Sequence, residues 1–182
     1  QRCYGFSSVG LRYFNVFGQR QDPYGAYAAV IPQWFASLIK QETVFVNGDG
    51  ETSRDFCYID NVVQANLLAS FAQEDAANKI YNVAFGQRTT LNELFDLIKE
   101  EVARHKPEVM GAECVHRDYR AGDVRHSLAD ISRAHNLLGY DPQFDVRQGL
   151  RLAGSSYTGS QPLPITLFFY LLDINTISFI QH

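Results

Sequence analysis

The sequence predicts an α/β fold. Short runs rich in aromatic and β-branched residues alternate with segments of helical apolar spacing, and capping residues mark the helix starts. The chain has 182 residues and is 46% hydrophobic, enough for one domain or slightly more around a sizeable core.

The elements follow in order. Residues 8–16 alternate and carry Leu11, Tyr13 and Phe14, which predicts a strand. Residues 26–40 place Val30, Trp34 and Leu38, and Ile31, Phe35 and Ile39, at helical spacing, with Pro32 in the first turn. Residues 43–47 form a short strand, Gly48-Asp49-Gly50 a turn, and residues 54–58 a second strand. Asp60 is expected to cap a helix to about Ala72 whose inward face is Val63, Leu67, Leu68 and Phe71. Residues 80–85 read as a strand, and Thr90-Leu-Asn-Glu93 as a capping box opening a helix to about Arg104. Residues 113–117 add a strand. Asp130 and Asp145 are expected to cap two further helices, the first ending near Gly139.

Composition narrows the function classes. The formal net charge of −4 argues against nucleic-acid or anionic-membrane binding. Three widely spaced cysteines (Cys3, Cys57, Cys114) without C-x-x-C suit free thiols in a reducing cytoplasm. The five histidines show no ligand spacing, so no metal site is expected. No signal peptide opens the sequence; its start runs directly into a strand and reads as the interior of a larger protein. Of the 16 basic and 20 acidic residues, only Asp173 lies after Arg151. Residues 154–161 read as a flexible linker. Residues 165–180 are very apolar, but Asp173, Asn175, Thr176 and Ser178 argue against a membrane span. The expected division is residues 1–152 and an unrelated tail at 153–182.

Familiar catalytic motifs are missing. Gly48-Asp-Gly50-Glu-Thr-Ser53 lacks the third glycine of the dinucleotide fingerprint, and a strand follows where that motif needs a helix. No G-x-S-x-G occurs. Three polar clusters remain: Asn15 with Gln21, Arg54 with Asp55, and Arg120-Ala-Gly-Asp123-Val-Arg125. Arginine offers a fork of donors to phosphate, aspartate can accept from a ribose hydroxyl, and amides bond either without adding charge. Singly each suits a salt bridge or turn; together they suggest a nucleotide-diphosphate ligand.

LRYFNVFGQRQDP, GAYAAVIPQW, VNGDGETSRDFCYIDNVVQANLLA, IYNVAFGQRTTLNEL and YRAGDVRHSLADISRAHNLLGY follow one another in residues 1–152. Their order and density resemble the C-terminal half of UDP-N-acetylhexosamine 4-epimerases, enzymes of surface-polysaccharide synthesis in the extended short-chain dehydrogenase/reductase superfamily. The resemblance implies the UDP-sugar-binding half of a Rossmann-type fold, without its dinucleotide-binding half, and a homodimeric, NAD-dependent parent acting on a UDP-N-acetylhexosamine or its uronic acid. It places Tyr13 and Phe14 beside the nicotinamide, and Asn15 and Gln21 on the sugar and diphosphate. Ala29, Val30 and Trp34 would line the uracil and sugar pocket. Phe45 and Asn47 would lie by the uridine, Arg54 on the diphosphate, and Arg120 and Asp123 on phosphate and ribose. Phe45 stands where a tyrosine is expected.

Family chemistry also needs a Gly-rich turn and a Tyr-x-x-x-Lys pair. None of the ten tyrosines has a lysine four positions on, and the Gly-rich turn is missing. No catalytic residue is therefore expected in this chain, which alone would be inactive. A fragment of a nucleotide-sugar 4,6-dehydratase or decarboxylase, and a non-catalytic binding remnant, are the alternatives.

Overall fold

Strand and helix alternate in the structure, a computed structural model that describes residues 5–24 and 29–158. Strands are β1 (Gly10–Tyr13), β2 (Val16–Phe17), β3 (Val44–Asn47), β4 (Ser53–Arg54), β5 (Cys57–Tyr58), β6 (Ile80–Val83), β7 (Thr89–Thr90) and β8 (Cys114–Arg117). Helices are α1 (Val30–Ile39), α2 (Ile59–Ser70), α3 (Leu91–Ala103), α4 (Ser132–Leu138) and α5 (Val146–Tyr157), with a 3-10 turn at Pro107–Gly111.

The strands pair two by two: β1 with β6, β2 with β5 and β3 with β8 in parallel, and β4 with β7 antiparallel. Each parallel pair needs a long crossover, and helices fill those crossovers. Two cores result. The first joins α1, β3, α3 and α5 through Trp34, Phe35, Val46, Ile98 and Leu150; the second joins the β1–β6 ladder to α2 and α4 through Val62, Tyr81, Val83 and Leu138. Phe56, Cys57 and Tyr58 run between them: Phe56 and Tyr58 belong to the first core and Cys57 to the second. The strand-like alternation of side chains produces that division.

The expected capping box at Thr90 forms, and the expected cap at Asp145 proves to be a second capping box. The Glu93 N–H donates to Thr90 Oγ1 at 3.1 Å and the Thr90 N–H to Glu93 Oε2 at 2.8 Å. The Gln148 N–H donates to Asp145 Oδ1 at 2.7 Å, and the Gln148 side chain answers at 3.0 Å. On α1, Ile31, Phe35 and Leu38 are buried at helical spacing, each contributing on the order of 2 kcal/mol by burial. Residues 26–28, expected in this helix, lie outside the described residues.

The structure corrects several expectations. The first strand is split, because Phe14 and Asn15 break the ladder between β1 and β2. The strand expected at residues 54–58 is likewise split into β4 and β5 around Asp55 and Phe56. Asp60 does not cap α2: Tyr58 holds that position without a side-chain bond, and Asp60 lies in the first turn. The inward face of α2 is Asn61, Val62 and Ala65, with Leu68 packed against the second core as expected, while Val63, Leu67 and Phe71 are 41%, 54% and 79% exposed. Asn61 sets this rotation. Its Oδ1 accepts from Gln143 N–H at 2.9 Å and Phe144 N–H at 3.1 Å, and its Nδ2 donates to the Phe144 carbonyl at 2.8 Å. At α4 the N-cap is Ile131, although Asp130 Oδ1 accepts the Ser132 N–H at 2.9 Å.

Residues 154–157, expected as linker, continue α5. Gly154 is buried, and a Cβ there would lie 2.9 Å from Glu101 Cγ. Tyr157 stacks on Phe35 at 4.8 Å and donates its hydroxyl to the Gly18 carbonyl at 2.7 Å. The remainder of that linker and the apolar stretch at 165–180 lie outside the described residues.

Candidate functional site

Asp55 ties the polar clusters together. It is fully buried where β4 gives way to β5. Its carboxylate accepts from the Phe85 N–H at 3.1 Å, the Gly86 N–H at 3.1 Å and the Ala129 N–H at 3.2 Å. Burial pushes this carboxyl above the usual range, against the backbone N–H groups that favour its charged form. Its carbonyl accepts from Asn15 Nδ2 at 3.3 Å, so the amide at the end of the first strand is anchored to the same hub. Gln21 turns back and donates through Nε2 to the Val16 carbonyl at 3.2 Å, while its buried Oε1 has no partner.

Arg54, beside the hub, points to the opposite side of the chain. Its guanidinium pairs with the Asp123 carboxylate, and Nη1 donates to the Ser53 carbonyl at 2.8 Å. The Ser53 N–H donates to the Arg125 carbonyl at 2.9 Å and the Ser127 N–H to the Ser53 carbonyl at 3.1 Å; these two bonds hold the 120–127 segment along β4. Two arginine-bearing clusters separated by 69 residues thus become one. Arg120 is exposed at the turn that ends in Asp123, whose N–H donates to the Arg120 carbonyl at 3.2 Å. Next to it Arg125 binds Asp49 at 2.7 Å; that guanidinium, then the Glu51 N–H, hold the Asp49 carboxyl down at about 2.

Phe45 and Asn47 lie on the outer face of β3. Arg117, opposite Asn47 in the β3–β8 register, donates from Nε to Asn47 Oδ1 at 2.6 Å and sets its guanidinium 5.4 Å from the Phe45 ring centre. Ala29 is the N-cap of α1, and Val30 packs half-buried against the first core. Trp34 is 5% exposed and meets Phe95 edge-on at 6.1 Å, so it sits in the core beneath any surface pocket. Tyr13 is half-exposed at the end of β1, its hydroxyl donating to Asn66 Oδ1 at 3.0 Å; Phe14 is partly buried, its N–H on the Val83 carbonyl at 3.0 Å.

The sequence marks Asp55 only as the neighbour of Arg54 in the otherwise apolar run to Tyr58. Arg117 ends the mixed run Glu-Cys-Val-His-Arg and has no such signal; the β3–β8 register brings it to Asn47. A groove of about 380 Å³ opens elsewhere, between α3 and the start of α5, and none of the expected residues lines it. Among the described residues no cluster of three His, Cys, Asp or Glu is placed to hold a metal.

The Gly48–Gly50 turn does not fit the pyrophosphate of a dinucleotide. Both glycines have positive φ, at 69° and 76°, and β4 follows instead of a helix N-terminus. The space at each is filled by the chain itself: an added Cβ would meet the Tyr119 ring at 2.2 Å or the Asn92 amide at 1.9 Å.

Residues 1–84 match the model of the NAD dependent epimerase/dehydratase family. A putative UDP-glucose 4-epimerase of Methanocaldococcus jannaschii is 37% identical over 150 residues, 82% of this chain and 45% of that protein. The structure of UDP-glucose 4-epimerase from Thermotoga maritima with UDP-glucose superposes with a TM-score of 0.79 at 39% identity, covering 87% of this chain and 48% of that one. UDP-N-acetylglucosamine 4-epimerase from Methanobrevibacter ruminantium, in complex with UDP-N-acetylmuramic acid, gives 0.78 at 36%, with the same coverages of 87% and 48%. The chain thus spans about half the length of these relatives. Residues 1–84 thus resemble the NAD dependent epimerase/dehydratase family, and the chain has the α/β Rossmann-type fold of nucleotide-sugar epimerases.

Proposed function

We propose that this chain is the UDP-sugar-binding half of an NAD-dependent UDP-N-acetylhexosamine 4-epimerase. The observation that carries the reading is the Arg54–Asp123 pair, with Asn15 anchored to the neighbouring Asp55. An arginine fork is a diphosphate ligand and a carboxylate is a ribose ligand. An arriving diphosphate would take Arg54 from Asp123 and free the carboxylate for the ribose hydroxyls. Gln21, Arg120, Phe45 and Asn47 would complete the contacts, with Ala29 and Val30 at the pocket wall and Trp34 supporting it from the core. Tyr13 and Phe14 are the residues that would face the nicotinamide.

NAD accepts and returns the sugar's hydride in this chemistry. The described residues offer no cradle for its pyrophosphate, and the sequence has no Tyr-x-x-x-Lys pair to move the proton of the sugar 4-hydroxyl. Binding without turnover is therefore the behaviour assigned to this chain. The whole enzyme would be a homodimer serving surface-polysaccharide synthesis in the cytoplasm; among the described residues no helix is long and apolar enough to cross a membrane.

Isothermal titration of the full chain with UDP-N-acetylglucosamine, UDP and dTDP-glucose tests the reading. The expected result is binding of both uridine ligands in preference to dTDP-glucose, with no epimerised sugar on chromatography. Absence of uridine binding would overturn the assignment to a UDP-sugar site; turnover would overturn the assignment to a non-catalytic half.

A further inference from the structure

We infer that Arg117 reads the nucleotide base, selecting a uracil over a cytosine laid against Phe45. The inference rests on the UDP-sugar reading above and adds a residue to it.

The β3–β8 ladder makes the case. Val44 and Val46 point into the core at 2% and 0% exposure, so Phe45 and Asn47 must project from the opposite face. The parallel register sets Val115 beside Phe45 and Arg117 beside Asn47. Four side chains therefore share one outer face: a ring, an isopropyl group, an amide and a guanidinium. Phe45 and Val115 are each 48% exposed, which leaves an apolar patch where a planar base can lie.

Arg117 is fixed over this patch by two of its own contacts. Its Nε bonds Asn47 Oδ1 at 2.6 Å, and its Cζ stands 5.4 Å from the Phe45 ring centre. A guanidinium near a ring face is attracted by the ring's quadrupole, and the plane held by both contacts loses little freedom when a ligand arrives. No ion pair or further hydrogen bond engages its Nη groups among the described residues. These donors are free to meet an acceptor at the edge of the patch.

Base chemistry then decides. Uracil presents carbonyl acceptors at both C2 and C4. Cytosine replaces the C4 carbonyl with an amino donor. A guanidinium has donors only, so at the C4 edge it rewards uracil and opposes cytosine. Asn47, its carbonyl occupied by Arg117, keeps its Nδ2 donors for a second acceptor on the same ligand.

Titration of the full chain with UDP, CDP and inorganic pyrophosphate tests this. The parent is expected to favour UDP over CDP by about tenfold. Arg117→Ala should lose about that factor for UDP while its affinity for CDP and pyrophosphate stays within about twofold, so the base preference collapses. Arg117→Lys keeps the charge but not the fork, and should also lose the preference. Equal weakening of UDP and pyrophosphate by Arg117→Ala would make Arg117 a phosphate ligand and overturn base reading. So would an unchanged UDP-to-CDP ratio in either variant. If the parent binds UDP without preferring it to CDP, base reading alone fails; if it binds neither nucleotide, the UDP-sugar reading fails with it.

Discussion

Asp55 concentrates more hydrogen bonds from separate parts of the chain than its place in the sequence suggests. Its carboxylate collects backbone N–H groups from residues 85–86 and from residue 129, and no water-facing surface compensates their loss. Asp55→Asn puts an amide nitrogen where an acceptor is needed. It should cost about 3 kcal/mol in urea denaturation, the scale for stranding buried donors. A loss under about 0.5 kcal/mol would show that the hub is not structural. Asp49 acts differently. Its folded value of about 2 lies below the ordinary 3.8, so the ionised form favours the fold. That contribution is complete above about pH 4 and is lost as pH falls towards 2. Melting temperatures of Asp49→Asn should fall less steeply than the parent's across that window. Parallel curves would refute the Asp49–Arg125 linkage.

At the scale of elements, α5 depends on close approach. A Cβ at Gly149 would lie 2.7 Å from Phe17 Cζ and 2.8 Å from Tyr58 Cβ. Helix propensity alone would reward Gly149→Ala by about 1 kcal/mol. Overpacking of two buried rings should outweigh it, leaving a net loss of about 1–2 kcal/mol in chemical denaturation. A gain in stability would mean that β2 and β5 yield more readily than their burial implies. The glycine is thus a packing residue for the seam where α5 crosses the two strands, and not a helix stop.

For the whole molecule, the outward face of α2 matters most. Ile59, Val63, Leu67 and Phe71 repeat at four-residue intervals along it and are 37% to 79% exposed. β1 pairs only with β6 among the described residues, so one of its edges is open there. An apolar stripe beside an open strand edge favours association. Sedimentation velocity of the full chain should show an average mass rising with concentration, and Leu67→Glu with Phe71→Glu should reduce that rise. A concentration-independent monomer in the parent would contradict this.

Local chemistry made much of the fold legible in advance. The capping box at Thr90, the cap at Asp145, the helical spacing on α1 and the helix end near Gly139 are written in neighbouring residues, and the structure realises each. The order of polar motifs likewise pointed to the nucleotide-sugar epimerase fold. Tertiary structure decided what depends on partners far away in sequence. The rotation of α2 follows from Asn61 bonding residues 143–144, which apolar periodicity cannot register. The continuation of α5 past Gly154 follows from its packing on Glu101 and from Phe35 stacking on Tyr157. Arg54 meets Asp123, and Arg117 meets Phe45 and Asn47, because parallel and bridging pairings align segments about 70 residues apart. Sequence determines which donors and acceptors exist; only the fold decides which of them share a face.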